Sequence, residues 1–153
     1  MTEDYEQLAL EFLGNQEVCT LATASDDAVP EAATVRYLSD DDFNMYINTG
    51  DTYRKYENMK SNPRVAIVVN GKLEGDYFNV QLEGEAREVA YDDAEYIMDM
   101  YREKYGSSEY LTNDQSVFFE IDVDWARMLV DGSYPPEYEM IVGEGDVDPH
   151  DEH

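Results

Sequence analysis

Apolar positions along this chain follow two rhythms, one helical and one alternating. Over residues 3–13 (EDYEQLALEFL), Leu8, Phe12 and Leu13 share one side at helical spacing, which predicts a short helix. EVCTLATAS (17–25) and EAATVRYLS (31–39) read as strands joined through DDAVP, a hairpin. FNMYINT (43–49) alternates cleanly, with Phe43, Met45 and Ile47 on one face and Asn44, Tyr46 and Asn48 on the other. Gly50, Asp51 and Thr52 then signal the start of a short helix, YRKYENMKS. Asn62-Pro63 should end it, because the residue before proline avoids helical geometry.

The second half repeats the pattern with longer elements. RVAIVVN (64–70) is a continuous apolar run and predicts a central strand buried on both faces. GKLEGD turns the chain, and YFNVQLEGEAREV (77–89) alternates with Phe78, Val80, Leu82 and Ala86 on one face. In YDDAEYIMDMYREKYG (91–106), Ala94, Ile97, Met98, Tyr101 and Tyr105 form a helix face; Asp92 or Asp93 is placed to cap its start and Gly106 to end it. SVFFEIDVDWARMLVDG (116–132) reads as one long or bent strand. Prolines, glycines and acids from Tyr134 onward predict a weakly ordered tail. This order, with its hairpin-like spacing, predicts a mainly β, α+β architecture: an antiparallel barrel with helices at its ends, not a parallel α/β sheet.

Length and composition set the frame. At 153 residues, one domain over 1–134 and an acidic, flexible tail over 135–153 are expected. The lone cysteine, Cys19, excludes an intrachain disulfide and points to a reducing cytoplasm. No apolar run approaches the roughly 18 residues that span a bilayer, and the acidic start MTEDYEQ is unlike a signal peptide. The formal net charge of −26 reads as a generally acidic, solvated surface of the kind suited to a salt-rich cytoplasm, the alternative being an acidic face for a basic partner. It argues against a nucleic-acid partner, whose phosphates would be repelled.

Against that charge one stretch stands out. The chain has ten Lys and Arg residues, and four of them, Arg54, Lys55, Lys60 and Arg64, fall within NTGDTYRKYENMKSNPR. Arg54 and Lys55 sit in the first turn of the predicted helix, where the helix dipole is already positive. Free amide N–H groups also point outward there. Such a pair is sensible beside an anion, and a phosphate is the natural guest, with Thr49 and Thr52 as hydroxyl donors. The competing reading pairs the two cations with nearby acids such as Asp51 and Glu57. Lys60 and Arg64 lie beyond that turn and read as surface or interface charges.

Taken in order, CTLATASDDAVPEAATVRYL, FNMYINTGDTYRKYENMKSNPRVAIVV and YFNVQLEGEAREV resemble the pyridoxamine 5'-phosphate oxidase-like family of FMN-binding split barrels. The resemblance covers roughly residues 8–130. It implies a six-stranded split barrel, a homodimer, FMN at the dimer interface and a small-molecule substrate. Residue by residue, Arg54 and Lys55 match the family's phosphate-binding pair. Arg36 and Tyr37 fall on the strand flanking the flavin, and Asn48 and Thr49 on the strand end along the ring and ribityl chain. Asn79 sits where the oxidases proper carry a glutamine, and Trp125 where an aromatic from the other subunit approaches the ring. Tyr53 departs from the Ser or Thr that usually precedes the Arg-Lys pair. The oxidases' C-terminal pyridoxal-phosphate segment has no match in SYPPEYEMIVGEGDVDPHDEH. The function implied is a flavin-dependent oxidoreductase. Two alternatives come with the family: a non-enzymatic flavin- or haem-binding protein for stress or cofactor buffering, and a deazaflavin-dependent reductase.

Other groups carry less. Cys19 reads as a buried small hydrophobe. His150 and His153, with Asp148, are the one candidate metal set, but a loose tail does not preorganise ligands. GEGDV (143–147) lacks the strand–helix context of a dinucleotide fingerprint. Most of the 13 tyrosines, Tyr96, Tyr101 and Tyr105 among them, read as packing residues with a polar tip toward water. No residue is singled out as a catalytic acid or base.

Overall fold

A computed structural model describes residues 4–106, 116–133 and 135–144. Helix α1 (Tyr5–Asn15) begins at Asp4, whose carboxylate accepts a hydrogen bond from the Gln7 amide at 3.1 Å. It buries Ala9, Phe12 and Leu13, and Phe12 meets Phe78 edge-on with ring centroids 5.9 Å apart. The strands are β1 (Val18–Ala24), β2 (Pro30–Arg36), β3 (Leu38–Ser39), β4 (Met45–Gly50), β5 (Arg64–Leu73), β6 (Asp76–Val89), β7 (Ser116–Asp131) and β8 (Glu137–Val142). Helix α2 (Arg54–Ser61) joins β4 to β5. A single 3-10 turn, Tyr91–Asp93, and α3 (Glu95–Tyr105) follow β6.

All strand pairs are antiparallel, in the order β2-β1-β5-β6-β7-β4-β3, with β8 also beside β7. Sixteen-residue β7 pairs with β6 along one edge. Its other edge is shared, β4 taking the first part and β8 the last. The sheet curls into a half-barrel, and β2 comes close to β4 without pairing to it. That seam is the split of a split barrel. The fold is therefore the mainly β, α+β split barrel expected, built from eight strands where the resemblance implied six. The main core fills the barrel and the underside of α1. A second cluster, with Leu38, Tyr46, Ile97, Tyr101 and Phe118, lies beneath α3.

Several expectations need correction. β5 is buried on one face only: Val65, Ile67 and Val69 point inward, while Ala66 and Asn70 are exposed and Val68 is half-exposed. An apolar run predicts two-sided burial, but among the described residues no element covers the outer face of this strand. β4 starts at Met45, not Phe43. Phe43 still reaches the core, but through left-handed backbone (φ 68°) in the turn before the strand. The Asp40 carboxylate holds that turn by accepting from the Asp42 amide (2.9 Å), the Asn44 amide (2.9 Å) and the Tyr46 hydroxyl (2.7 Å). Neither Asp92 nor Asp93 caps α3; Ala94 is its N-cap and makes no side-chain bond, although Gly106 ends it in the left-handed conformation as expected. Residues 137–142 form β8, so the expected tail includes a paired strand; residues 145–153, with Asp148, His150 and His153, lie outside the described residues.

The glycine in VQLEGEA has a steric cause. The β6–β7 register shifts between Glu83 and Gly84. A Cβ on Gly84 would meet the Asp122 carbonyl oxygen, and Val123 Cα at 2.9 Å. Both contacts are backbone and do not rotate away. Gly84→Ala should therefore destabilise the fold by about 2 kcal/mol, within the usual range for overpacking. Urea denaturation would read this as a lowered midpoint, and an unchanged midpoint would refute the account.

Candidate functional site

Several of the residues expected to bind a cofactor sit around the split. β2 ends at Arg36, and Tyr37 breaks the strand before β3. Across the seam β4 presents Asn48 and Thr49. Arg36, Tyr37 and Asn48 together line a cavity of about 160 Å³, completed by Leu38, Tyr46, Ile47, Ile97, Tyr101 and Phe118. Asn48 Nδ2 donates to the Val117 carbonyl at 3.4 Å, and the buried Thr49 hydroxyl donates to the Gly50 carbonyl at 3.4 Å.

The helix that follows begins one residue after an unhelpful cap. Tyr53 occupies the N-cap position in extended geometry (φ −85°) and makes no side-chain bond to the helix. The Gly50, Asp51 and Thr52 signal thus located the helix start without supplying the cap. Tyr53 has a local role instead: its ring lies over Gly50, where a Cβ would come within 3.0 Å of it, and Lys55 Nζ stands 4.4 Å from its centroid. Arg54 and Lys55 are the first two residues of α2, at its positive end as expected. Thr52 is exposed just before them. Arg54 does have an acidic partner, but it is Glu31 of β2 at 2.7 Å, not Asp51 or Glu57. The Arg54 side chain remains 79% exposed, against 13% for Glu31, so the guanidinium still faces solvent with donors to spare. Lys60 pairs with Glu88 at 2.8 Å, and Arg64 pairs with Asp124, both at the surface.

Asn79 and Trp125 lie elsewhere. Across the outer sheet face, cross-strand pairing sets Thr34, Thr20, Val68, Gln81 and Arg127 in one row. Ala32, Ala22, Ala66, Glu83 and Trp125 make the next. Trp125 and Arg127 line an open concavity of about 270 Å³ on this face, separate from the cavity by Arg36. Asn79 precedes Gln81 by two residues along β6 and has the same strand parity. Its Oδ1 is buried and accepts no hydrogen bond among the described residues. Such an orphaned acceptor is costly in a finished interior, and it marks a place where a donor from outside the chain would be stabilising.

Sequence reasoning missed the residues that hold the Arg36–Tyr37 corner in place. Arg36 donates to the Tyr101 hydroxyl at 3.2 Å and lies 5.0 Å over the Tyr105 ring. The Tyr37 carbonyl accepts from the Tyr105 hydroxyl (2.6 Å) and Lys104 Nζ (3.4 Å), and the buried Tyr37 hydroxyl donates to the Leu13 carbonyl at 2.5 Å. Lys104 Nζ also reaches Leu13 O at 3.4 Å and stands 4.0 Å over the Tyr37 ring. Burial pushes the Lys104 ammonium down to about 8, and the Tyr105 hydroxyl up to about 12. Tyr101 and Tyr105 were legible on one helix face, but Lys104 beside them and the Arg36–Tyr37 corner they hold were not. Arg127 was missed too, although it lies two residues from Trp125 on the same strand face. It is 5% exposed, donates from Nε to Gln81 Oε1 at 2.6 Å, and stacks 4.2 Å from the Tyr138 ring. Cys19 is buried, and burial raises its thiol to about 12, which makes it an inert packing residue. No group of three or more metal-ligating side chains occurs among the described residues. No helix among them is long and apolar enough to cross a membrane.

An antiparallel split barrel with cations at the start of the helix after β4 defines a class of protein, and comparison by sequence agrees with it. The chain belongs to the pyridoxamine 5'-phosphate oxidase family, whose sequence profile matches residues 5–129. Among curated protein sequences none matches. The fold is similar to that of a haem-binding protein from Mycobacterium smegmatis, at 16% identity and TM-score 0.77, covering 92% of this chain and 59% of that one. The chain thus spans about three fifths of that relative's length. It is also similar to General Stress Protein 26 from Bacillus anthracis (17% identity, TM-score 0.64, covering 89% and 98%). A third similar structure is HutZ, the haem storage protein from Vibrio cholerae (15% identity, TM-score 0.65, covering 79% and 91%). At these identities the likeness concerns the fold.

The Lys104 contact has a pH signature. Its folded value of about 8 lies below the unfolded 10.5, so between the two the unfolded chain binds more protons and stability gains from rising pH. Relative to Lys104→Met, wild-type stability should therefore climb from pH 8 to about 10.5 and stay level below pH 8. Paired denaturation curves across that range test this, and a flat difference would show that Lys104 is not desolvated.

Proposed function

We propose that this protein is an FMN-binding homodimer, a flavin-dependent oxidoreductase acting on a small molecule. The carrying observation is the Arg54–Lys55 pair at the uncapped, solvent-facing start of α2, which follows the strand that brings Asn48 to the cavity lined by Arg36 and Tyr37. A helix N-terminus with two cations in its first turn favours a phosphate over any carboxylate of the same chain, because amides and side chains act together. Glu31 keeps Arg54 in place until that anion arrives. Arg54 and Lys55 would hold the phosphate, with Thr52 beside them, while Arg36, Tyr37, Asn48 and Thr49 would flank the rest of the molecule. FMN would supply the redox chemistry, and the protein would bind it, orient it and exclude water.

The second copy would pack on the outer sheet face. Its two rows set mostly small, uncharged side chains on this face, with Glu83 and Arg127 their charged members, on a chain of net charge −26. Pairing two such faces would cover Ala66 and Val68 and bring Trp125 and Asn79 of one copy toward the other. A face of mostly small side chains lets backbones approach closely, and its few charges would keep like-charge repulsion across it low. The same groove would accept a deazaflavin coenzyme. The haem-binding and haem-storage relatives support a carrier reading, in which the protein would hold a cofactor without turnover.

Purified protein should be yellow, with flavin absorbance released on denaturation. Arg54→Ala with Lys55→Ala should weaken FMN binding by about tenfold or more in salt high enough to keep the acidic chain folded. Unchanged affinity would reduce the pair to surface charges. Tighter binding of a deazaflavin or of haem than of FMN would select the corresponding alternative, and bleaching by NADH or NADPH would favour an enzyme over a carrier. Ala66→Glu should convert a dimer to a folded monomer in light scattering, because it places two new like charges across the proposed interface. A dimer that survives that change uses another surface.

A further inference from the structure

A second concavity opens where the end of α1, β3 and α3 meet. It measures about 560 Å³, a size that holds small organic molecules, and shares only Leu38 with the cavity by Arg36. Leu38 and Met100 supply its apolar lining, and the exposed Asp41 and Glu103 supply acids. Gly14 leaves one side open, since a Cβ there would meet no atom within 4 Å. Half-buried Lys104 lines it too.

The Lys104 amine is held in a way that suits NH2 better than an ammonium. Its acceptors are the Leu13 and Tyr37 carbonyls, each at 3.4 Å. Both already accept shorter bonds, from the Tyr37 hydroxyl at 2.5 Å and the Tyr105 hydroxyl at 2.6 Å. No salt bridge reaches Lys104 among the described residues. Two carbonyls use the two N–H groups of a neutral amine and leave its lone pair, and a desolvated lysine of this kind attacks carbonyl carbon. Burial drives the proton off near pH 8, against the opposing pull of Glu17 and Cys19. Burial also keeps Cys19, Tyr37 and Tyr105 protonated well above that pH. Asp40, Asp41 and Glu103 are the remaining charged groups at the concavity.

We propose that Lys104 is a covalent attachment site for a small neutral aldehyde, held in this concavity as an imine. The lone pair adds to the carbonyl carbon, the carbonyl oxygen takes up a proton, and the adduct loses water. Amine and aldehyde thus give imine and water, with no change in oxidation state. A short apolar chain suits Leu38 and Met100. Asp41 and Glu103 disfavour an anionic aldehyde, whereas a protonated imine keeps positive charge beside them. The inference goes beyond the flavin reading and does not need FMN to be bound.

Butanal with cyanoborohydride, which reduces the imine to a stable butylamine, is the probe. It is applied to the full-length protein at pH 8, in salt high enough to keep the chain folded, and read by peptide mass mapping. Lys104 should be labelled about tenfold or more faster than Lys55, Lys60 and Lys72, because a larger share of it is unprotonated. That advantage should vanish in urea. It should be smaller with succinic semialdehyde, which has the same chain length and a carboxylate. Gly14→Leu should obstruct the open side and slow labelling of Lys104 but not of Lys55. Should that variant misfold, Met100→Trp narrows the concavity from α3 instead. Equal labelling of the four lysines in the folded protein would overturn the proposal. So would an advantage that survives urea, one as large with succinic semialdehyde, or one indifferent to a folded obstructing variant.

Discussion

Everything in this fold hangs on the edges of β7. A sixteen-residue strand carries more backbone donors and acceptors than a single neighbour can satisfy, since each edge needs its own partner. β6 takes one edge, and β4 and β8 divide the other. Because β4 claims the first part of that edge, the sheet has to curl until β4 faces β2, and the seam between them holds the candidate site. The bulge at Gly84 lets the long β6–β7 ladder bend without losing its pairing on either side. Sheet closure, the cavity at Arg36 and the position of α2 are thus consequences of one hydrogen-bonding requirement.

Charge is handled locally within a chain that repels itself globally. The interior ion pairs expected of a larger protein are absent from the described ion pairs, whose side chains reach the surface or its margin, where each is worth little. Cations with structural work to do are instead held by aromatic rings and carbonyls: Lys104 by Tyr37 and Leu13, Arg127 by Tyr138 and Gln81. This arrangement keeps positive charge where geometry needs it, at the corner by Arg36 and on the outer face. It also explains why a sequence with few cations places several of them against tyrosines.

The order of elements was legible because alternation and helical spacing are strong local signals. Phe78, Val80, Leu82 and Ala86 pointed inward as their period required, and Ile97 and Tyr101 met the second core. Errors arose where tertiary context decides. Whether Ala66 and Val68 are covered depends on what lies beyond the sheet, and an apolar run is blind to that. β8 was hidden because its composition is that of a tail, and only the unpaired edge of β7 makes it a strand. For the site, the Arg54–Lys55 position was readable from the helix start, and Arg36, Tyr37 and Asn48 do converge on one cavity. The roles of Glu31, Lys104 and Tyr105 were not readable, since each meets its partner across more than 20 residues of chain.

Phe43 shows how such a fold constrains its own descent. Its left-handed backbone costs about 1–2 kcal/mol for a side chain of that size, and the turn holds because the Asp40 carboxylate collects three donors. Glycine at 43 would relax the backbone and empty part of the core; another residue at 40 would free the turn and leave the ring without its anchor. Neither position has an improving single step. Drift through this loop therefore requires paired replacements, and positions 40 and 43 should vary together or not at all.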